Sequence, residues 1–281
     1  MLTTDSTMPH RIPAWQTGML HFFRKVRGGY RGGPDQFDAE TRPASVGEAQ
    51  RIYAIGDIHG RADLFADLLN RIARDSADRE PLPTQLILLG DLVDRGPASR
   101  DVVNYAMHLA QNSKRIRFLK GNHEELFVGA ARGDVGVARF FCRIGGRETL
   151  LSYGLDPAAF DTMDGEQLAA WMLANVPRDH VDFIDAFENM IEIGDYLFVH
   201  AGVRPGIPLD KQDPGDLRWI RNEFLVSRAN FGKVIVHGHT ITEAVDVHPN
   251  RIGIDTGAYM SERLTAIGLQ GTDRWFLSTA D

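Results

Sequence analysis

Five short apolar runs, each followed closely by a residue type that binds metal ions, restrict the fold of this chain more than any other feature of its sequence. Runs of this length are typical of buried β-strands, and the first three are separated by stretches with the apolar spacing of helices. Strands that alternate with helices predict right-handed βαβ units and a largely parallel sheet. The runs and the polar residues after them are RIYAIG before Asp57 and His59, QLILLG before Asp91, RIRFLKG before Asn122 and His123, YLFV before His200, and KVIV before His237 and His239.

The same patterns predict the order of the elements. Residues 124–188 lack strand runs and are predicted to be a mostly helical insertion beside the candidate site. Before it, strands are expected at 51–56, 86–89 and 115–119, and helices at 62–73 and 99–110.

After the insertion, the sequence predicts a hairpin and further strands. IEIGDYLFVHAG contains a Gly-Asp pair between two apolar runs, as in antiparallel strands joined by a tight turn. Later strands, which we assign to a second sheet, are expected at 233–236, 253–255, 264–269 and 275–278. The predicted fold is therefore α/β, with two packed mixed β-sheets flanked by helices, a βαβαβ core and a helical cap insertion.

Length, charge and cysteine content limit the class of protein. At 281 residues the chain can form one large domain or two small ones. Its formal net charge of -7 argues against a nucleic-acid partner, which usually requires a basic surface. The single cysteine, Cys142, excludes an internal disulfide and suits a reducing compartment, so we expect a cytoplasmic protein. No apolar run approaches the roughly 20 residues that a membrane-spanning helix needs.

The first 47 residues differ in composition from the rest. Residues 10–33 contain five Lys and Arg residues, no acids and two Gly-Gly pairs. Residues 1–47 are therefore predicted to be a mobile basic tail before a domain over 48–281. Within the tail, residues 15–26 have apolar residues near helical spacing. This segment could be an amphipathic helix that contacts a membrane surface, a partner or its own domain, or it could fold on nothing.

The polar residues at the strand ends form a plausible ligand set for two metal ions. They supply oxygen and nitrogen atoms only, which suits manganese, iron or zinc. Asp91 lies centrally in the order of the ligands, and a carboxylate can bridge two cations. Two cations about 3.5–4 Å apart can hold a phosphoryl oxygen and generate hydroxide near neutral pH. Each fragment alone is common in turns, and their joint occurrence at separate strand ends is what favours a metal site.

The sequence resembles the metallophosphoesterase superfamily. Its signature blocks are similar to GDIHG (56–60), GDLVDRG (90–96) and GNHE (121–124), and its later blocks to VHAG (199–202), HGHT (237–240) and IDTGAY (254–259). More narrowly, the blocks resemble the phosphoprotein phosphatase family, which includes Ser/Thr protein phosphatases, bacteriophage-type phosphatases and symmetrical diadenosine tetraphosphate hydrolases. DLRWIRNEF (216–224) is similar to a bacterial Leu-Trp-X-Arg block, although Arg218 stands where leucine is usual.

The resemblance implies a role for each matched residue. It implies metal ligands at Asp57, His59, Asp91, Asn122, His200 and His239, with Asp91 shared by both ions. It also implies His123 as the general acid, Asp94 as its hydrogen-bond partner, and Arg95 and Arg221 as phosphate-binding residues. We expect two divalent ions, manganese first, with iron or zinc as alternatives.

Two residues near these blocks have less defined roles. Ile241 stands where the wider superfamily often has a further histidine, so His237 is expected to support the site rather than bind metal. Tyr259 could line the site or belong to the core.

Three functions are compatible with the sequence. The first expectation is a phosphomonoesterase that hydrolyses phosphoserine and phosphothreonine in proteins, by direct attack of a hydroxide held between the ions. The alternative is a symmetrical dinucleoside polyphosphate hydrolase or a broad-specificity small-molecule phosphatase, although no aromatic pair for stacking two adenines is evident. A catalytically silent binding module is disfavoured because every ligand and the acid are retained. The expected partner is a phosphoprotein or a small phosphoester.

Overall fold

The computed structural model describes residues 43–280, which form ten strands and eleven α-helices. The strands are β1 (Arg51–Ile55), β2 (Thr84–Leu88), β3 (Ile116–Phe118), β4 (Met190–Ile193), β5 (Tyr196–Val199), β6 (Val234–His237), β7 (Asp246–Val247), β8 (Arg251–Gly253), β9 (Thr265–Gln270) and β10 (Asp273–Ser278). The helices are α1 (Ala62–Asp78), α2 (Ser99–Asn112), α3 (Asn122–Ala131), α4 (Val135–Phe141), α5 (Arg147–Ser152), α6 (Pro157–Phe160), α7 (Gly165–Asn175), α8 (Arg178–Asp185), α9 (Pro214–Trp219), α10 (Asn222–Leu225) and α11 (Ala258–Ser261).

The first sheet has the order β10-β9-β1-β2-β3. Strands β1, β2 and β3 are parallel, as the strand–helix alternation predicts. Strand β9 pairs antiparallel with β1, and β10 pairs antiparallel with β9. The assignment of 264–269 and 275–278 to a second sheet is therefore wrong. Five of the six residues of β9 are buried, and an apolar run of this kind does not specify which strand it will join.

The second sheet has the order β4-β5-β6-β8-β7. The predicted hairpin is confirmed: β4 and β5 are antiparallel and meet at the Gly194–Asp195 turn. Strands β5, β6 and β8 are parallel, and the short β7 closes the edge antiparallel to β8. The strand expected at 253–255 lies at Arg251–Gly253, two residues earlier.

The two sheets pack face to face, and helices cover their outer faces. Apolar residues of both inner faces, including Ile52, Ile87, Phe198 and Val236, form one buried cluster. The opposite face of the first sheet packs on helices, and that of the second sheet packs on α9 and α10. Six helices, α3 to α8, lie between β3 and β4. The predicted α/β fold with two mixed sheets and a helical insertion is confirmed.

The described chain begins within the predicted tail. Residues 1–42, including the segment 15–26, lie outside the described residues. Val46 is fully buried among residues of both sheets. The backbone N–H of Ser45 donates to the Asp195 carboxylate at 2.9 Å. Residues 43–47 therefore belong to the packed domain. Between residues 43 and 280, no helix combines the length and apolarity needed to cross a membrane.

Candidate metal centre

The candidate ligands lie together at the carboxyl ends of the central strands. Asp57 and His59 follow β1, Asp91 follows β2, His200 follows β5 and His239 follows β6. Open α/β sheets place their ligand sites at this edge. Asn122 and His123 follow β3 and occupy the first turn of α3. All six predicted metal ligands are buried, with exposed fractions between 0 and 6%, at Asp57, His59, Asp91, Asn122, His200 and His239.

Asp91 lies between two groups of ligand atoms. Its Oδ1 is 3.4 Å from His200 Nε2, and its Oδ2 is 3.6 Å from His59 Nε2. Each carboxylate oxygen therefore faces a different imidazole. Burial alone would raise the pKa of Asp91. The nearby His200 and His123 rings together have a larger, opposite effect, so the pKa of Asp91 is well below its usual range. This geometry suits a carboxylate that bridges two cations.

The second group of ligand atoms converges on His200 Nε2. This nitrogen is 3.0 Å from Asn122 Oδ1 and 3.2 Å from His239 Nδ1. His200 Nδ1 lies 2.8 Å from the carbonyl oxygen of Leu89, so a proton on Nδ1 leaves the Nε2 lone pair free. Ligand atoms of Asp91, His200 and His239 all lie within 4.8 Å of one another. A cation placed among them would lie close to a side-chain atom from each of these residues.

The first group contains unpartnered polar atoms, which test whether its residues suit a cation. Asp57 Oδ1 and His59 Nε2 are buried and have no hydrogen-bond partner within residues 43–280. His59 Nδ1 is 2.8 Å from the Val93 carbonyl oxygen, which orients the ring with Nε2 toward Asp91. Burial, followed by the Asp255 and Asp91 charges, raises the pKa of Asp57. Because unpaired buried polar atoms are costly, a cation bound by these residues would relieve that cost. The ligand atoms of His59, Asp91 and His123 lie within 4.8 Å of one another.

His123 lies beside the ligands with its other edge held by Asp94. Its Nδ1 is 2.5 Å from the Asp94 carboxylate, and its Nε2 is 3.8 Å from Asp91 Oδ2. Burial lowers the pKa of His123, but the charges of Asp91 and Asp94 outweigh it and raise the net pKa above its ordinary value. The two carboxylates therefore favour the cationic form of the imidazole.

Both predicted phosphate-binding arginines reach this site. Arg95 Nη2 is 3.1 Å from His123 Nε2, and its guanidinium lies 4.9 Å from the ring centre of Tyr259. Arg221 is exposed, and its Nε donates to His239 Nε2 at 3.0 Å. The Tyr259 ring is 5.5 Å from that of His59, so Tyr259 lines the site.

His237 takes no part in either ligand group. Its ring is buried 5.1 Å from that of Phe224, and its Nδ1 lies 3.1 Å from the Gly238 carbonyl oxygen. Burial lowers the pKa of His237 to about 4. That His237 supports the site rather than binds metal stays a prediction.

The backbone is strained where these side chains meet. Positive φ is uncommon outside glycine and clusters at functional sites. Five site residues have φ between 46° and 74°, namely His59, Asp91, Asp94, Arg95 and His239.

Glu124 has a role that its sequence position does not reveal. Glu124 lies in the first turn of α3. Its carboxylate also accepts the N–H groups of Asp91 at 2.7 Å, Leu92 at 2.7 Å and Gly121 at 2.9 Å. Burial and the Asp91 charge raise the pKa of Glu124 to about 7. Glu124 therefore fixes the strained turn that carries the bridging carboxylate.

Thr149 and Asp255 are two further residues of the site that were not predicted from the sequence. The Thr149 hydroxyl, on helix α5, donates to Asp94 Oδ1 at 2.6 Å and accepts the Asp94 N–H at 2.8 Å. Ser99 Oγ accepts the same N–H at 3.0 Å. Asp255 is buried, and its charge acts on Asp57. Asp255 lies inside the block IDTGAY, whereas no sequence signal marks Thr149.

Together, the candidate ligands are those expected of a metallophosphoesterase. A model of calcineurin-like phosphoesterases matches residues 50–263. The chain belongs to the calcineurin-like phosphoesterase family.

The curated relatives include dinucleoside tetraphosphatases of two kinds. The chain is 27% identical over 240 residues to the asymmetrical bis(5'-nucleosyl)-tetraphosphatase PrpE of Anoxybacillus flavithermus, and the match covers 76% of this chain and 88% of that one. It is 34% identical over 155 residues to the symmetrical bis(5'-nucleosyl)-tetraphosphatase of Delftia acidovorans, and this match covers 55% of this chain and only 45% of that one.

A solved structure of a protein provisionally assigned as a diadenosine tetraphosphatase has the same fold, with a TM-score of 0.58 and 19% identity. That match covers 82% of this chain and 94% of the other. At this level of identity, the likeness concerns the fold alone.

Proposed function

We propose that this chain hydrolyses bis(5'-nucleosyl) tetraphosphates at a centre of two divalent metal ions. The observation that carries the proposal is the Asp91 carboxylate, each of whose oxygens faces a separate group of buried ligand atoms. The names of the two relatives support a dinucleoside tetraphosphate as the substrate. They favour this function over hydrolysis of phosphoserine and phosphothreonine in proteins, which was the first expectation from the sequence.

The ligand chemistry suits manganese, with iron or zinc as alternatives, because the site offers carboxylate, amide and imidazole groups together. Two such ions supply positive charge to a phosphoryl group and lower the pKa of water. In this proposal, Asp57 and His59 would hold one ion, Asn122, His200 and His239 would hold the other, and Asp91 would be available to both.

The remaining residues bind the phosphates and move a proton. We assign Arg95 and Arg221 to the phosphate oxygens, which the planar guanidinium binds in a forked geometry. His123 Nε2 donates its proton to the oxygen of the leaving phosphate as the phosphorus–oxygen bond breaks. Asp94 holds the opposite nitrogen and stabilises the cationic ring. We also propose that the substrate is a small phosphoester and that the protein acts in the cytoplasm.

A substrate panel tests the proposal. The chain, supplied in turn with manganese, zinc and magnesium, is given diadenosine tetraphosphate, a phosphoserine peptide, an aryl phosphate and a phosphodiester. We expect the highest kcat/KM on diadenosine tetraphosphate. Release of two ADP identifies symmetrical cleavage, and release of AMP with ATP identifies asymmetrical cleavage. A higher kcat/KM on the phosphopeptide contradicts the proposal and supports a protein phosphatase.

A variant of the bridging residue tests the site itself. Asp91→Asn keeps the shape of the side chain and removes its charge, so activity on every substrate should fall by about 10²-fold or more. Appreciable turnover by this variant contradicts the assignment of the metal centre. A wild-type chain that binds divalent ions but cleaves none of the substrates supports the silent binding module.

A further inference from the structure

Two aromatic side chains lie exposed and stacked beside the metal centre. Phe140, in helix α4, is 37% exposed, and Trp219, the last residue of α9, is 36% exposed. Their ring centres are 6.1 Å apart with an angle of 28° between the planes. Single exposed apolar residues are ordinary on protein surfaces, but two neighbouring exposed rings from separate elements form one larger apolar surface. We call these two rings the aromatic platform.

The orientation of the indole is fixed by a polar network. Trp219 Nε1 donates to the Glu125 carboxylate at 2.7 Å. The same carboxylate is bound by Arg218, whose Nε lies 3.0 Å from Oε2 and whose Nη1 donates to Asn189 at 2.7 Å. Arg218 is the residue that stands where leucine is usual in the related block. The network satisfies the polar edge of the indole while the side chain stays partly open to solvent.

The platform borders the second ligand group. The Trp219 ring centre is 6.5 Å from that of His239, in an edge-to-face arrangement. Arg221 follows two residues later and donates to His239 at 3.0 Å. A molecule whose flat end lies on the platform therefore has the cationic Arg221 and the metal ligands within short reach of its next groups.

Two arginines that are not paired with Glu125 lie near the platform. The Arg143 guanidinium lies 5.5 Å from the ring centre of Phe140, close enough for a cation–π contact. Arg221, which donates to His239, supplies a second cation near the Trp219 ring. This combination suits a ligand that joins an aromatic plane to a chain of anionic groups, because bases stack on aromatic rings and phosphates bind guanidinium.

We propose that Phe140 and Trp219 form a stacking site for one nucleobase of the substrate, with the phosphate chain running past Arg221 to the metal centre. The inference rests on the proposed function, because it names what binds the nucleoside end of that substrate. It also supplies an aromatic pair that was not evident from the sequence, since Phe140 and Trp219 are far apart in the chain and belong to different helices.

The variant Phe140→Ala tests the platform. Stacking contributes about 1–3 kcal/mol per base when the aromatic residue is replaced by alanine. The ratio of KM for diadenosine tetraphosphate to KM for 4-nitrophenyl phosphate should therefore rise roughly tenfold or more in the variant. Phe140→Tyr, which keeps the ring, should restore the wild-type ratio. Phe276→Ala is the matched control, because Phe276 is also 36% exposed but lies on the edge strand β10.

A second measurement separates this inference from the proposed function. The inhibition constants of ADP and pyrophosphate are measured against hydrolysis of 4-nitrophenyl phosphate, so that no cleavage of a dinucleotide is needed. The ADP constant should rise roughly tenfold relative to the pyrophosphate constant in Phe140→Ala. If the wild type fails to prefer diadenosine tetraphosphate but this shift occurs, the proposed function fails and the nucleotide site stands.

Three results contradict the stacking site. The first is a change by the same factor in the inhibition constants of ADP and pyrophosphate in Phe140→Ala. The second is a parallel loss on diadenosine tetraphosphate and 4-nitrophenyl phosphate. The third is a selective loss on the phosphopeptide, which would assign the platform to a protein substrate.

Discussion

At the scale of single residues, the candidate acid depends on a hydroxyl group far away in the sequence. Asp94 holds His123, and Thr149 holds Asp94 through two short hydrogen bonds. All three side chains are at least 99% buried. Buried hydrogen-bonded networks of this kind fix the orientation of their members. The helical insertion therefore positions the residue proposed to protonate the leaving group.

Thr149→Val should weaken catalysis selectively, because it keeps the shape of the side chain but removes the hydroxyl. General acid catalysis contributes about 10²–10⁴-fold, and only leaving groups that need a proton use it. We expect kcat to fall at least about tenfold more on an alkyl phosphate than on 4-nitrophenyl phosphate, whose leaving group departs as an anion. Steady-state kinetics on both substrates measure the difference.

The matched variant Thr149→Ser keeps the hydroxyl and should retain most of the wild-type ratio between the two substrates. Equal losses on both substrates in Thr149→Val would show that Thr149 serves the fold and not the acid.

Most ligand positions could be predicted from the sequence, whereas their supporting residues could not. Asp57, His59 and Asp91 follow strands directly, so their position is set by local pattern. Glu124 and Thr149 act through hydrogen bonds to residues distant in the chain. The local sequence around an acid or a threonine on a helix does not predict such a contact.

At the scale of elements, strands were easier to find than their partners. The parallel strands β1, β2 and β3 and the β4–β5 hairpin follow from alternation and turn chemistry. The position of β9 does not, because Arg51 pairs with Gln270 across most of the chain. A run buried on both faces is compatible with either sheet.

The helical insertion contains a buried titratable pair. His180 of α8 is 5% exposed, and its Nδ1 lies 2.8 Å from the Tyr153 hydroxyl, which follows α5. Burial lowers the pKa of His180 below its ordinary value. The unfolded chain therefore binds a proton more readily than the folded one, and stability falls as the pH drops below about 6.5.

His180→Gln should reduce this acid sensitivity, because glutamine can keep a hydrogen bond to Tyr153 without taking up a proton. We expect a smaller decrease in Tm between pH 7.5 and 5.5 than in the wild type. Thermal unfolding is measured with excess chelator, so that release of metal in acid does not contribute. Tyr153→Phe keeps the histidine and should retain the wild-type slope, and equal slopes in all three proteins would refute the assignment.

At the scale of the whole molecule, the metal centre joins the two sheets. Asp57, His59 and Asp91 come from the end of the first sheet, and His200 and His239 come from the end of the second. Without a cation, several carboxylates lie buried close together. Burial raises the pKa of Asp57 and of Asp255, and the charges of neighbouring carboxylates also raise both pKa values. Bound metal should therefore stabilise the fold as well as the reaction.

Adding manganese to chelator-treated protein should raise Tm in proportion to the logarithm of its concentration. A ligand at 100 times its Kd stabilises by about 2.7 kcal/mol, which is roughly 5–10 °C for a domain of this size. Scanning fluorimetry over a manganese series measures the shift. Asp91→Asn should lose most of it, and a shift of wild-type size in this variant would place the stabilising ion elsewhere.

The pairing of β1 with β9 has a consequence for synthesis on the ribosome. Strand β1 leaves the ribosome with β2 soon after it, but its other neighbour emerges only with residues 265–270. A nascent chain that has passed His239 therefore holds every proposed ligand while one side of β1 still has unpaired N–H and C=O groups. Such open edges pair readily with other chains. The interval between residues 239 and 265 is thus a stage at which the growing chain is open to aggregation and benefits from a chaperone.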